Sequence, residues 1–117
     1  MMLQHIDKTE RLSRVVVHHG IAYFSGLTAD DKQEDTRGQT AQILAKADLY
    51  LERIGSNRAS IISAMIWLRD IGDFDQMNLA WVDWIDKSAP PARATVEAKL
   101  GLPEILVEIQ FTVAIPD

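Results

Sequence analysis

The chain has 117 residues, 47% of them hydrophobic, and a formal net charge of −5, which suits one domain around a single core. It has no cysteine, which excludes disulfides, thiolate nucleophiles and Cys-based metal sites and points to a reducing, cytoplasmic setting. Met1 to Arg14 lacks the apolar core of a signal peptide and no apolar run approaches a membrane span, while the acidic balance argues against a sequence-tolerant nucleic-acid binder.

Val15-Val16-Val17 and Ile21-Ala22-Tyr23-Phe24-Ser25-Gly26 read as two strands around a tight turn, with Gly20 supplying the backbone freedom. His18 and His19 are adjacent. On a strand they face opposite ways, so they cannot chelate one metal together and read as turn residues. Thr28 to Gln33 is polar and predicts an exposed, mobile loop. Glu34 and Asp35 put negative charge where a helix N-terminus favours it. From Thr36 to Ile54 the residues Ile43, Ala47, Tyr50, Leu51 and Ile54 keep helical spacing, and Gly55 is a good terminator. Gln39, Thr40 and Gln42 signify only a polar helix start.

Ile61 to Leu68 is apolar on both alternating faces, with Ile62, Ala64, Ile66 and Leu68 on one side. Ile61, Met65 and Trp67 take the other, a pattern usually buried on both faces. Asp70-Ile71-Gly72-Asp73 turns the chain, and Asp73 with Gln76 resembles a capping box. A second helix follows, with Phe74, Met77, Trp81 and Ile85 as its buried stripe and Asp75, Asp83, Asp86 and Lys87 on its wet side. Trp81 and Trp84 read as packing residues rather than a base-stacking platform.

Pro90-Pro91 ends that helix, because proline lacks an N–H and disfavours a helical residue before it. From Ala92 the chain alternates, with Arg93, Thr95 and Glu97 on one face. Ile105 to Val113 alternates more sharply, placing Leu106, Glu108, Gln110 and Thr112 opposite an apolar face. Arg93, planted among small residues, either clamps a carboxylate with its planar fork of donors or pairs with an acid within the sheet. The order β-β-α-β-α-β-β gives a single α+β domain over residues 1–117 whose two helices cover one face of the sheet. The other face is apolar enough to call for self-association.

Phe24-Ser25-Gly26, Gln39-Thr40-Ala41-Gln42-Ile43-Leu44, Trp67-Leu68-Arg69-Asp70, Asp73-Phe74-Asp75-Gln76-Met77-Asn78, Pro91-Ala92-Arg93 and Val107-Glu108-Ile109 are weak markers singly. In this order and spacing the chain resembles, over nearly its whole length, the Rid (YjgF-like) family of imine/enamine deaminases, also called endoribonuclease L-PSP-like proteins. Gly55-Ser56-Asn57 and Arg11-Leu12-Ser13 make it most similar to the YoaB-type branch. The resemblance implies a chorismate-mutase-like fold with helices on one face of a mixed sheet, a homotrimer whose sheets close into a barrel, and ligand clefts between subunits. It also implies hydrolysis of 2-imino or 2-enamino acids to 2-keto acids and ammonia without metal or organic cofactor.

Carried over, Arg93 matches the arginine that binds the substrate carboxylate, and Glu108 the acid that positions or activates the attacking water. Thr95 falls where a backbone N–H holds substrate, and Ser25 matches the serine of the Ser-Gly motif at the cleft. Gln110, on the face of Glu108, is placed to orient either group. The chemistry suits these residues, since an iminium carbon is already electrophilic and needs only a carboxylate clamp, a water and a proton acceptor. Two departures stand out: a tyrosine common in deaminating members falls on Leu12, and a glutamine after Ser-Gly falls on Leu27. Both make the pocket mouth more apolar. Two other classes therefore stay open: a non-catalytic small-carboxylate binder, and an RNA-cleaving protein, which the acidic balance disfavours.

Overall fold

His19 and Gly20 adopt φ of 51° and 75°, the pair of positive values that a two-residue type I′ turn requires and that its right-handed twist demands. The turn joins β2 (Ser13–His18) to β3 (Ile21–Phe24), with His18 opposite Ile21. In the computed structural model, which describes residues 2–117, these are followed by α1 (Thr36–Arg53), β4 (Ile61–Leu68), α2 (Phe74–Trp84), β5 (Ala92–Glu97) and β6 (Val107–Ala114). One strand, β1 (Gln4–Lys8), lies in the stretch that sequence pattern left without structure. Only Ile6 in it is apolar, so no alternation announces it; the ladder to β2 holds it at the edge.

The six strands form one sheet in the order β1-β2-β3-β6-β4-β5, antiparallel except for the β4–β5 pair. Both helices are crossovers between parallel strands and lie on the same face, as a uniform crossover hand requires. The body measures 42 × 38 × 21 Å, so its short axis is one sheet plus one helical layer.

Both ends of α1 are closed locally. Asp35 is its N-cap and accepts from the Gly38 N–H at 2.9 Å. At the other end Gly55, φ 72°, donates to Glu52 and Ser56 donates to Leu51, a Schellman motif. The predicted capping box at the second helix does not form. Asp70 caps Gly72 instead, and the Asp73 carboxylate accepts the Thr36 hydroxyl at 2.6 Å, tying the starts of the two helices together.

Ile43, Leu44, Ala47 and Leu51 of α1 and Met77, Trp81 and Trp84 of α2 join Val15, Ala22, Phe24, Ile66, Ile109, Phe111 and Val113 in one core. Trp81 stacks on Phe111 with ring planes 9° apart, so the tryptophans are packing residues. Phe74 departs from its predicted place in the buried stripe, being 37% exposed.

Four further expectations change. A register shift between Ile61 and Ser63 inserts Ile62, so Ile61 rather than Ile62 shares the core face with Ala64, Ile66 and Leu68. The opposite face of β4 is not buried within the chain: Ser63, Met65 and Trp67 are half-exposed and lie beside Thr112, Gln110 and Glu108 of β6. The Thr28–Gln33 segment is packed rather than loose: Ala29 is buried, Lys46 donates to the Thr28 carbonyl, and Gln42 pairs with both backbone groups of Asp31. Gln39 is more than a polar helix start. It is fully buried, donates to the carbonyls of Glu34 and Glu104, and accepts from the Leu106 N–H. Arg69 reinforces this, donating to the carbonyls of Leu100, Leu102 and Ile105, so two side chains set the approach of β6 to the sheet.

Candidate functional site

Arg93 and Thr95 pair in register with Ala64 and Ile66, whose side chains are buried under the helices. Neighbours in register share a face, so Arg93 points to the helix side at the exposed edge strand β5. There α2 meets it. The guanidinium donates to Asn78 Oδ1 at 2.7 Å and lies over the rings of Trp81 and Phe74, 5.3 and 5.6 Å from their centroids. No carboxylate pairs with Arg93 among the described residues. Burial alone acts on it, disfavouring its charged form. Thr95, next along the same face, has a buried hydroxyl with no hydrogen-bond partner. The edge therefore holds a cation on an aromatic cradle and an unused hydroxyl, a donor set for a small anion.

Glu108 belongs to the other face. It pairs in register with half-exposed Trp67, while its neighbours Val107 and Ile109 are buried in the core. Its carboxyl lies against Gly26, where any Cβ would collide with it. This close approach explains the glycine of the Ser-Gly pair. Glu108 has no hydrogen bond or ion pair among the described residues, and burial pushes its carboxyl above the usual carboxylate range. A proton acceptor raised in this way takes a proton from water more readily than an ordinary carboxylate. Ser25 precedes it, backbone-tied to the Arg14 carbonyl, with its hydroxyl buried and unpartnered.

The remaining predicted residues divide. Gln110 shares the Glu108 face but donates to the Phe24 carbonyl at 3.1 Å, so it ties β3 to β6 and is turned away from Arg93. Leu12, 42% exposed, sits between β1 and β2, near the edge of the sheet remote from β5. Leu27 has a buried side chain, and its backbone exchanges hydrogen bonds with Ile109.

Arg93 and Glu108 are thus not brought together within one chain. Two strand spacings and three residues separate them, roughly 14 Å between Cα atoms, and they face opposite sides of the sheet. No group of three or more His, Asp or Glu side chains suited to a metal occurs among the described residues. No helix among the described residues is long and apolar enough to cross a membrane. Sequence reasoning read Phe74 and Trp81 as packing residues and gave none of Phe74, Asn78 and Trp81 a place at the site, although their i, i+4, i+7 spacing on α2 puts them on one helical face.

Comparison with known proteins agrees with this architecture. Residues 2–115 match the Endoribonuclease L-PSP family. A RutC family protein of Haemophilus influenzae is 43% identical over 110 residues, covering 93% of this chain and 95% of that one. The RutC family protein YoaB of Escherichia coli is 40% identical over 115 residues, covering 98% and 100%. A crystal structure of a YjgF-family protein from Neisseria meningitidis superposes with a TM-score of 0.96 at 38% identity, over 100% of this chain and 98% of that one. In fold and in sequence alike, then, the chain belongs to the Endoribonuclease L-PSP family, the YjgF and RutC proteins.

Proposed function

We propose that the protein hydrolyses reactive 2-imino and 2-enamino acids to 2-keto acids and ammonia, in clefts completed by a second copy of the chain. The observation that carries this reading is the half-buried Arg93 guanidinium, which has a neutral hydrogen-bond partner and no anion of its own. A substrate carboxylate supplies the missing charge in bidentate geometry, with Thr95 in reach of the same edge.

Water is handled by the Glu108 half. With the iminium carbon held by the carboxylate clamp, water adds to it as Glu108 takes a water proton, giving a neutral carbinolamine. Glu108 returns that proton to nitrogen. The C–N bond then breaks, the hydroxyl proton leaves, and the products are the 2-keto acid and ammonium. No electron acceptor or donor is consumed.

Because Arg93 and Glu108 face opposite sides of one sheet, a substrate of a few carbon atoms cannot meet both in a single chain. Packing copies together resolves this. It also covers the bare sheet face, where Tyr23 is 51%, Ile62 45% and Val96 41% exposed. A closed homotrimer, with three sheets around one axis, uses the same contact three times and leaves none open.

The test is an amino-acid oxidase that generates imines in situ, with keto-acid and ammonia release followed with and without the protein. Acceleration that disappears in Glu108→Gln supports the assignment. A carboxylate-binding protein without catalysis is the second reading, favoured by the exposed apolar Leu12; it would hold pyruvate yet leave imine decay at its uncatalysed rate.

A further inference from the structure

A cavity of about 820 Å³ is lined by neither Arg93 nor Glu108. It lies between α1 and the segment that follows β3, with Arg14 of β2 at its rim. Four cations line it, Arg14, Lys32, Lys46 and Arg53, against two acids, Asp30 and Glu52. Asp7 stands behind Arg53, which donates to both its carboxylate oxygens at 2.7 and 3.0 Å. Counting Asp7 leaves the cavity with one uncompensated positive charge.

That charge can be placed. Lys46 is paired with Asp30 at 2.7 Å and Arg53 with Asp7. Lys32 donates only to the Ala29 carbonyl, and the Arg14 side chain makes no hydrogen bond or ion pair among the described residues. Arg14 and the remaining N–H groups of Lys32 are therefore uncommitted donors.

Beside them lies apolar surface: the Tyr50 ring and Leu49, which is 64% exposed. The walls are held in place. Lys46 ties α1 to the Thr28 carbonyl at 2.6 Å, and Tyr50 and Arg53 tie it to β1 through Asp7. A preformed cavity spares a ligand the cost of ordering its site.

We propose that this cavity is a second ligand site, which binds a monoanionic carboxylate bearing a flat apolar body. The carboxylate meets Arg14 and Lys32, and the body lies on Leu49 and Tyr50. Half of its lining, Lys46, Leu49, Tyr50, Glu52 and Arg53, comes from α1 on the helical side of the sheet, away from the bare face.

The experiment is an amide-resolved NMR titration of the whole protein with 1-naphthoate, repeated with 1-naphthylmethylamine as the charge-reversed control. Saturable shifts are expected in residues 27–32 and 46–53 with naphthoate and none with the amine. Arg14→Gln should weaken naphthoate about tenfold, by loss of a charge-assisted contact. Leu49→Asp, at an exposed position, should weaken it through the apolar wall. Arg93→Ala should bind it as wild type does, which separates this site from the proposed imine site. Shifts confined to residues 74–95, equal binding of the amine, or unchanged affinity in both Arg14→Gln and Leu49→Asp would overturn the proposal.

Discussion

Replacing Arg93 by alanine separates an anion clamp from a structural cation. The side chain holds one hydrogen bond to Asn78 at 2.7 Å and lies over two aromatic rings. Each such contact contributes on the order of 1 kcal/mol. Against them stands the cost of holding a guanidinium partly out of water with no anion beside it. These oppose, so folding stability should change by less than about 2 kcal/mol. Affinity for a small 2-keto acid behaves differently. A bidentate charge-assisted contact is worth about 2–4 kcal/mol, or roughly 30- to 900-fold in Kd. Arg93→Lys should recover only part of this, because an ammonium cannot match two carboxylate oxygens with a planar fork. Calorimetric titration with pyruvate and 2-ketobutyrate, with melting and light scattering on the same samples, reads both quantities. Wild-type affinity in a folded Arg93→Ala protein of unchanged oligomeric state would refute the clamp.

Glu108→Gln should keep ligand binding and lose roughly a hundredfold or more in turnover, measured in the oxidase-coupled assay. Burial raises the folded carboxyl above its unfolded value, so stability falls as pH rises between the two; Glu108→Gln should melt higher than wild type at pH 7 and equally at pH 3. Light scattering at micromolar concentration should return three times the chain mass, and a stable monomer would remove the shared cleft. Gln39→Ala strands the Leu106 N–H and the Glu34 and Glu104 carbonyls; a loss of about 2–4 kcal/mol should appear as a lower urea midpoint. Gly26→Ala drives a methyl into the Glu108 carboxyl, and turnover should fall well before the melting temperature does.

Local physics was legible in the residues themselves. The Thr36 helix, the acidic pair before it and its Gly55 stop are near-neighbour effects, and the structure bounds the helix within a residue of expectation. The Gly20 turn and the alternation of β5 and β6 are also decided over a few residues, whereas the second helix, expected to run to Pro90-Pro91, already ends at Trp84. Types and order of the elements from β2 onward followed, and the bare sheet face with them.

What tertiary structure decided depends on partners far along the chain. β1 exists because β2 offers it a ladder, which its own polar composition cannot announce. The bulge at Ile62 exchanges two isoleucines between faces, because two β4 residues must pass one on β6. Gln39 carries the same amide as any surface glutamine; only contact with residues 104–106 makes it a buried clamp. The candidate site shows the same division. Alternation put Arg93 on one strand face and Glu108 on another, but strand order and register decide that the faces are opposite. A period of two fixes which neighbours share a side within a strand. It carries no information on how two strands separated along the chain, or two separate chains, come to face each other.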